Sequence, residues 1–305
     1  MTATVACPIA VAKAFSPGHI TGFVAEKSAG FNNYLDVGST GAGFSIEDGI
    51  TTTVEIHEHK VPGYQVSING FRVEDAPVSK WVAAEYIRLT RQCCYINIKH
   101  ECRIPVGFGL GSSGAGALSL SYALNQALDA GLCTVEAAQI AHQAEIACKT
   151  GLGSVIAEFA GGFEMRIEAG APGIGIIEKL ELKNYKAIIF AVSPISTKSF
   201  LIEHPNLGEV LCEKMLEKLR VSKDVSDFLN MSYSFAHYLG LTEGKTKLPI
   251  QKLKSQGFEC GIALFGETIF TIVPNHQIMQ VKDCLRNFDG KLIVCNIDNT
   301  GARML

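Results

Sequence analysis

The residues best equipped for chemistry lie in one run, IPVGFGLGSSGAGAL (Ile104 to Leu118), where five glycines and the pair Ser112-Ser113 open into a helix-forming segment. Glycine clears side chains from the backbone. The first N–H groups of a helix lack intrahelical partners, and the helix dipole adds partial positive charge there. Together these features suit a phosphate brought against the chain. The hydroxyls of Ser112 and Ser113 can add ligands to phosphate or to Mg²⁺, which keeps several waters and takes few protein oxygens. A tight turn with serine as the helix N-cap would use the same residue types without any ligand.

Three known loop designs fail on this run. A Walker loop needs a lysine that is absent. The dinucleotide fingerprint G-x-G-x-x-G fits Gly109, Gly111 and Gly114, with Asp129 twenty residues after Gly109. That fingerprint requires a strand between helix and acid, however, and Ala115 to Leu132 reads as continuous helix. The nucleophile elbow G-x-S-x-G registers on neither serine. Elsewhere, Glu55, His57 and His59 share one face of an alternating stretch, which reads as a solvated strand face and not as a metal site.

The elements that must position this loop follow from periodicity. Residues 5–48 are rich in glycine, and PGHITG (Pro17 to Gly22) and VGSTGAG (Val37 to Gly43) are expected to be tight loops. TTTVEIHEH (Thr51 to His59) alternates as a strand, with YQVSING (Tyr64 to Gly70) as its expected hairpin partner. A helix over Ser79 to Thr90 and a strand over Tyr95 to Arg103 lead into the glycine loop. After it, Leu120, Leu124 and Leu128 recur at helical spacing. Thr134 opens an alanine-rich helix, TGLGS (Thr150 to Ser154) breaks it, a short helix runs to Ala160, and GGFEMRIE (Gly161 to Glu168) is a strand. Beyond GAPG (Gly170 to Gly173) the order is strand (Tyr185 to Val192), helices over Gly208 to Leu219 and Lys223 to Leu239, and a helix to Gln256. Strands at Cys260 to Phe265 and Thr268 to Val273, a helix over His276 to Arg286 and a strand at Lys291 to Asn296 complete it. The change of texture predicts a boundary between Gly170 and Tyr185.

Bulk properties set the frame. A chain of 305 residues with 47% hydrophobic and 19% charged side chains suits one large or two modest domains. A formal charge of −3 without a basic block gives no support to nucleic-acid or polybasic membrane binding. No stretch reaches the roughly 18 apolar residues of a membrane span, and the N-terminus reads as a strand and not a signal peptide. Ten dispersed cysteines without a Cys-x-x-Cys pair are expected to be buried, reduced thiols of a cytoplasmic protein.

The run P-V-G-F-G-L-G-S-S-G-A-G resembles the phosphate loop P-x-G-x-G-L-G-S-S-[A/G] of the GHMP kinase superfamily. SPGHITGF (Ser16 to Phe23) resembles the family's early P-G-[K/R/H] turn, and CGIALFGETIF (Cys260 to Phe270) is a degenerate form of its late glycine-rich strand pair. Between them Glu145, Thr150-Gly151-Leu152-Gly153 and Gly161-Gly162 follow the family order. Within the superfamily the chain looks most like the archaeal pantoate kinases, on AFSPGHITGF, GSTGAGFSIEDGI, TGLGSVIAEFAGG and the C-terminal GARML. The likeness covers essentially the whole chain.

The resemblance implies an α+β two-domain GHMP kinase fold, with a β-α-β N-terminal domain over residues 1–178 and a ferredoxin-like C-terminal domain over 179–305. It implies ATP- and Mg²⁺-dependent phosphorylation of the hydroxyl of (R)-pantoate to 4-phosphopantoate in coenzyme A biosynthesis. Other acceptors (mevalonate, homoserine, shikimate) and a non-catalytic nucleotide- or metabolite-binding relative stay open, as does a homodimer. By the same resemblance Pro105, Gly107, Gly109, Leu110, Gly111, Ser112, Ser113 and Gly114 bind ATP, and Ser113 and Glu145 hold Mg²⁺. His19 occupies the place of a lysine or arginine in several relatives, as a catalytic or substrate residue. Asp36 could bind a substrate hydroxyl, and Arg103, Lys149 and Arg166 are candidate partners for a carboxylate. Relatives with a catalytic aspartate carry it where this chain has Ser154; Glu158, one helical turn on, is the candidate substitute.

Overall fold

The computed structural model describes residues 7–27, 33–151, 153–195 and 209–305. Leu152 of the TGLGS turn, the start of the expected first strand and Gly208 lie outside them.

Two long strands organise the first sheet. Strands β1 (Ala10–Lys27) and β2 (Gly38–Glu58) pair antiparallel from Ala10↔Ile56 to Lys27↔Gly38, with irregularities at Pro17/Gly18 and Thr21/Phe23. The two expected loops therefore lie inside paired strands. Their glycines serve close backbone approach instead of turning. A Cβ on Gly41 would lie 2.2 Å from the Phe23 carbonyl oxygen, and one on Gly43 2.4 Å from that of Ile20.

Strand β3 (Gly63–Ile68) is not the hairpin partner of β2. Beyond the two-residue β4 (Phe71–Arg72), which caps that edge, strand β5 (Cys94–Cys102) inserts between them, antiparallel to β2 and parallel to β3. It brings Ile96 and Ile98 opposite Ile56 and Val54 in the buried face. Such a long-range match is invisible to adjacency in sequence. Strand β6 (Phe163–Glu168) pairs with the other half of β2, β7 (Ile176–Leu180) extends it, and β12 (Arg303–Met304) returns the C-terminus to β1.

Against this sheet pack α1 (Pro77–Thr90), α2 (Ser112–Ala127), α3 (Thr134–Cys148) and α4 (Ser154–Ala160). Helix α2 is the central one, buried from Gly114 to Leu124, and small residues at Ala115, Gly116 and Ala117 let it sit close. It ends at Ala127, short of the expected Leu132, because Asp129 turns left-handed at φ 47°. Helix α3 opens where the Glu136 carboxylate accepts the Cys133 N–H at 2.8 Å, half of a capping box.

The second sheet contains β8 (Tyr185–Pro194), β9 (Gly261–Ala263), β10 (Gly266–Pro274) and β11 (Lys291–Cys295) in the order β11-β8-β10-β9. With α5 (Glu209–Ser222), α6 (Val225–Tyr238), α7 (Lys247–Ser255) and α8 (Ile278–Leu285), this is the antiparallel ferredoxin-like order. The α+β architecture is as expected. A shared aromatic core joins the halves: Phe228 of α6 meets Phe163 of β6 at 4.6 Å, and Phe44 of β2 meets Phe270 of β10 at 5.4 Å between ring centroids. All ten cysteines are free thiols, but Cys7, Cys93 and Cys133 are exposed and not buried as expected. Among the described residues no helix is long and apolar enough to cross a membrane.

Candidate active site

The glycine loop turns on three left-handed residues, Gly107, Gly109 and Gly111, at φ 85°, 74° and 68°. Only glycine takes that conformation without strain. Two contacts fix the loop. The Leu110 carbonyl accepts the His19 N–H at 3.0 Å, and the β9–β10 turn lies beneath it so closely that a Cβ on Gly266 would be 2.3 Å from the Phe108 backbone. Gly111 is the N-cap of α2 and no side chain caps the helix. Neither serine is spent on capping, so the first-turn N–H groups, which lack intrahelical partners, face a cleft of about 630 Å³.

Gly107, Gly109, Leu110, Gly111, Ser112, Ser113 and Gly114 all line that cleft, together with His19, Glu145, Ser154 and Arg166. Pro105 starts the loop but does not line it. A second cleft of about 700 Å³ shares Ser112, Ser113 and Thr150 with the first and is walled by Ile68, Pro77, Val78 and Val106.

Glu145 is 2% exposed, not the exposed helical glutamate its sequence context allows. Its carboxylate accepts the Ser113 hydroxyl at 2.5 Å and the Thr150 hydroxyl at 2.7 Å. The left-handed turn at Lys149 (φ 56°) folds Thr150 and Gly151 back over it, and a Cβ on Gly151 would be 2.1 Å from Oε2. Burial raises its pKa, and the two hydroxyl bonds counteract that. Among the described residues no cationic side chain hydrogen-bonds it.

A second buried carboxylate, Glu164, organises the opposite wall. It accepts from His19 Nε2 at 2.9 Å, from Arg166 Nη1 and, on its other oxygen, from the Gly43 N–H at 2.8 Å. Burial lowers the His19 pKa, and Glu164 acts against that. Arg166 is 1% exposed, and its Nε has no hydrogen-bond partner among the described residues. No sequence motif singles out Glu164. A signal is nonetheless present, since residues two apart on a strand share a face and Glu164 lies two before Arg166.

Ser154 opens α4 and lines the cleft, whereas Glu158 lies behind it, fully buried, with no partner for either oxygen among the described residues. Three candidates are not brought to the cleft lining. Arg103 and Lys149 are exposed, the first tied by its N–H to Gly49 at 3.0 Å, the second acting as the C-cap of α3. Asp36 sits in a turn, its N–H bonded to the Asn33 carbonyl at 3.1 Å. Glu55 and His57 lie on β2, where the Glu55 carboxylate accepts from Lys99 and Asn97, and His59 lies just past the strand's end.

The GHMP kinases N terminal domain matches residues 78–162, the segment from α1 through the glycine loop to α4. A pantoate kinase of Methanocaldococcus jannaschii is 33% identical over 288 residues, covering 93% of this chain and 99% of the relative. One from Thermococcus kodakarensis is 30% identical over 288 residues, covering 91% and 92%. The chain belongs to the pantoate kinase family of GHMP kinases. A solved structure described as a phosphotransferase related to the CoA biosynthesis pathway superposes with a TM-score of 0.87 at 27% identity, covering 97% of this chain and 98% of that one. Membership makes the chain an ATP-dependent kinase.

Proposed function

We propose that the protein transfers the γ-phosphoryl group of ATP to the hydroxyl of (R)-pantoate, giving 4-phosphopantoate for coenzyme A biosynthesis. The observation that carries this reading is Arg166: a buried guanidinium at the cleft with an unpaired Nε, in reach of an acceptor that bears a carboxylate. The likeness to pantoate kinases over more than nine-tenths of the chain supports it. Three family-implied substrate contacts, Asp36, Arg103 and Lys149, are set aside in favour of Arg166 held by Glu164.

In this reading the first-turn N–H groups of α2 and the glycine loop bind the phosphates. The apolar second cleft takes the nucleoside, because it opens at the same two serines. Glu164 holds both His19 and Arg166 and shapes the acceptor side. Mg²⁺ fits Ser113 and Glu145: a buried carboxylate that hydrogen-bonds only neutral hydroxyls lacks the positive charge that burial calls for. The ion would neutralise phosphate charge during transfer. Apart from β12, the strands of the first sheet end by Leu180 and those of the second begin at Tyr185, and we read the two sheets as lobes around the cleft, divided near residues 178/179.

The test is ADP release from ATP and Mg²⁺ with pantoate, mevalonate, homoserine and shikimate in turn. Turnover with pantoate alone is expected. Arg166→Met should raise the pantoate KM by roughly 30-fold or more, the cost of truncating one partner of a buried charge pair, with the ATP KM little changed. An unchanged pantoate KM in Arg166→Met would sink the carboxylate assignment.

A further inference from the structure

Glu158 has no part in the site as derived so far, yet it lies against the phosphate loop. It follows Ser154 by one turn of α4, so the two side chains leave the helix on the same side. Both end at the first turn of α2. A Cβ on Gly114 would lie 2.5 Å from Ser154 Oγ and 2.6 Å from Glu158 Oε2, and a Cβ on Gly111 would lie 2.5 Å from Glu158 Oε1. Those two glycines are thus required from behind, by the carboxyl, as well as from the cleft side. A buried acid with both oxygens unpaired is costly, and an apolar side chain of similar volume would avoid the cost. Such a group calls for a use.

We propose that Ser154 and Glu158 together take the proton of the acceptor alcohol, the serine hydroxyl passing it from the cleft to the carboxylate behind the loop. The acceptor oxygen bonds to the γ-phosphorus as the bond from that phosphorus to the bridging β-γ oxygen breaks. The alcohol proton moves to Ser154 Oγ, whose hydroxyl makes no hydrogen bond to Glu158 at rest and turns onto a Glu158 oxygen to give up the proton it already carries, and ADP leaves. Glu158 then returns its proton to solvent through the same hydroxyl.

The surroundings agree with this. Burial, with the charge of Glu145 as the second cause, raises the Glu158 pKa well above its ordinary 4.5. The titratable groups around it are His19 on β1, whose own pKa is lowered, and Glu145 on α3; Glu164 and Arg166 on β6 stand beyond His19. Among the described residues no guanidinium or ammonium bonds either oxygen.

This inference rests on the kinase reading, and two measurements separate their failures. The first is a carboxyl-¹³C glutamate NMR titration of the full chain, with Glu158→Gln identifying the resonance. The expected result is a midpoint well above that of a free glutamate, moved by Ser154→Ala. A free-glutamate midpoint that Ser154→Ala leaves in place overturns the relay whether or not pantoate is a substrate.

The second is the pH profile of kcat with whichever alcohol turns over. Glu158→Gln should lower kcat by roughly 10² to 10⁴ and abolish the acidic limb while leaving the ATP KM unchanged. Ser154→Ala should lower kcat less, since a water can bridge to the same carboxylate. An acidic limb retained in Glu158→Gln, or in Glu158→Asp with unshifted midpoint, overturns the proposal. Turnover with a different alcohol sinks the pantoate reading alone.

Discussion

Ser113 and Glu145 stand 32 positions apart in sequence and 2.5 Å apart in space, and their pairing is the most specific arrangement in the cleft. If the pair holds Mg²⁺, Ser113→Ala and Glu145→Ala should each lower kcat/KM by roughly 10² to 10³, the range for removing one preorganised electrostatic contact. Raising Mg²⁺ should restore part of the Ser113→Ala activity, since the carboxylate remains. Steady-state ADP release across a Mg²⁺ series checks both. Glu164 matters in another way: one carboxylate orients both His19 and Arg166, so the acceptor wall behaves as a unit and not as separate contacts.

The glycine loop is held in shape by an element from the other half of the chain. Gly266, on the β9–β10 turn, has the Phe108 carbonyl carbon and oxygen at 2.3 Å from where its Cβ would be. Backbone cannot yield as a flexible side chain can, so Gly266→Ala should push the loop away from its position over α2. The expected result is a rise of roughly tenfold or more in the ATP KM, the scale on which small misplacements of binding groups act. Gly131→Ala is the control. Its φ is 73° and nothing lies within 4 Å of the added methyl. It should therefore cost about 1–2 kcal/mol of stability from backbone strain and leave the KM alone. Chemical denaturation and nucleotide titration together separate the two effects.

At the scale of the molecule, the halves share Phe44, Phe163, Phe228 and Phe270, so they should unfold together. Phe228→Ala removes a fully buried ring at that junction. It is expected to cost about 3–5 kcal/mol, in one transition followed by denaturant melting. Stability should also depend on pH through His100. Its ring bridges Thr52 at 2.8 Å and Ser79 at 3.0 Å, and burial pushes its pKa down from 6.5 to about 4. A depressed folded pKa means the unfolded chain takes up the proton first as pH falls. The contribution is full above pH 6.5 and is lost between 6.5 and about 4. The stability advantage over His100→Asn should shrink by about 1.4 kcal/mol per pH unit in that window.

The sequence alone determined whatever depends on local pattern. Glycines and serines before a leucine stripe specified the glycine loop that opens α2, and the alternation in Cys94–Cys102 specified β5. The order of strands and helices after Tyr185 was legible too, while the ferredoxin-like arrangement came from the resemblance to the GHMP kinases. Only the tertiary structure decided what depends on close approach between distant segments. Glycines at Gly41 and Gly43 look like turns in the sequence because a turn and a tight strand crossing both demand a missing Cβ. Strand β5 displaces β3 from β2 because pairing rewards apolar matches, not adjacency. Arg103, Lys149 and Arg166 are equal candidates as cations. Burial beside Glu164 separates Arg166 from two exposed side chains, and burial is a property of the folded chain.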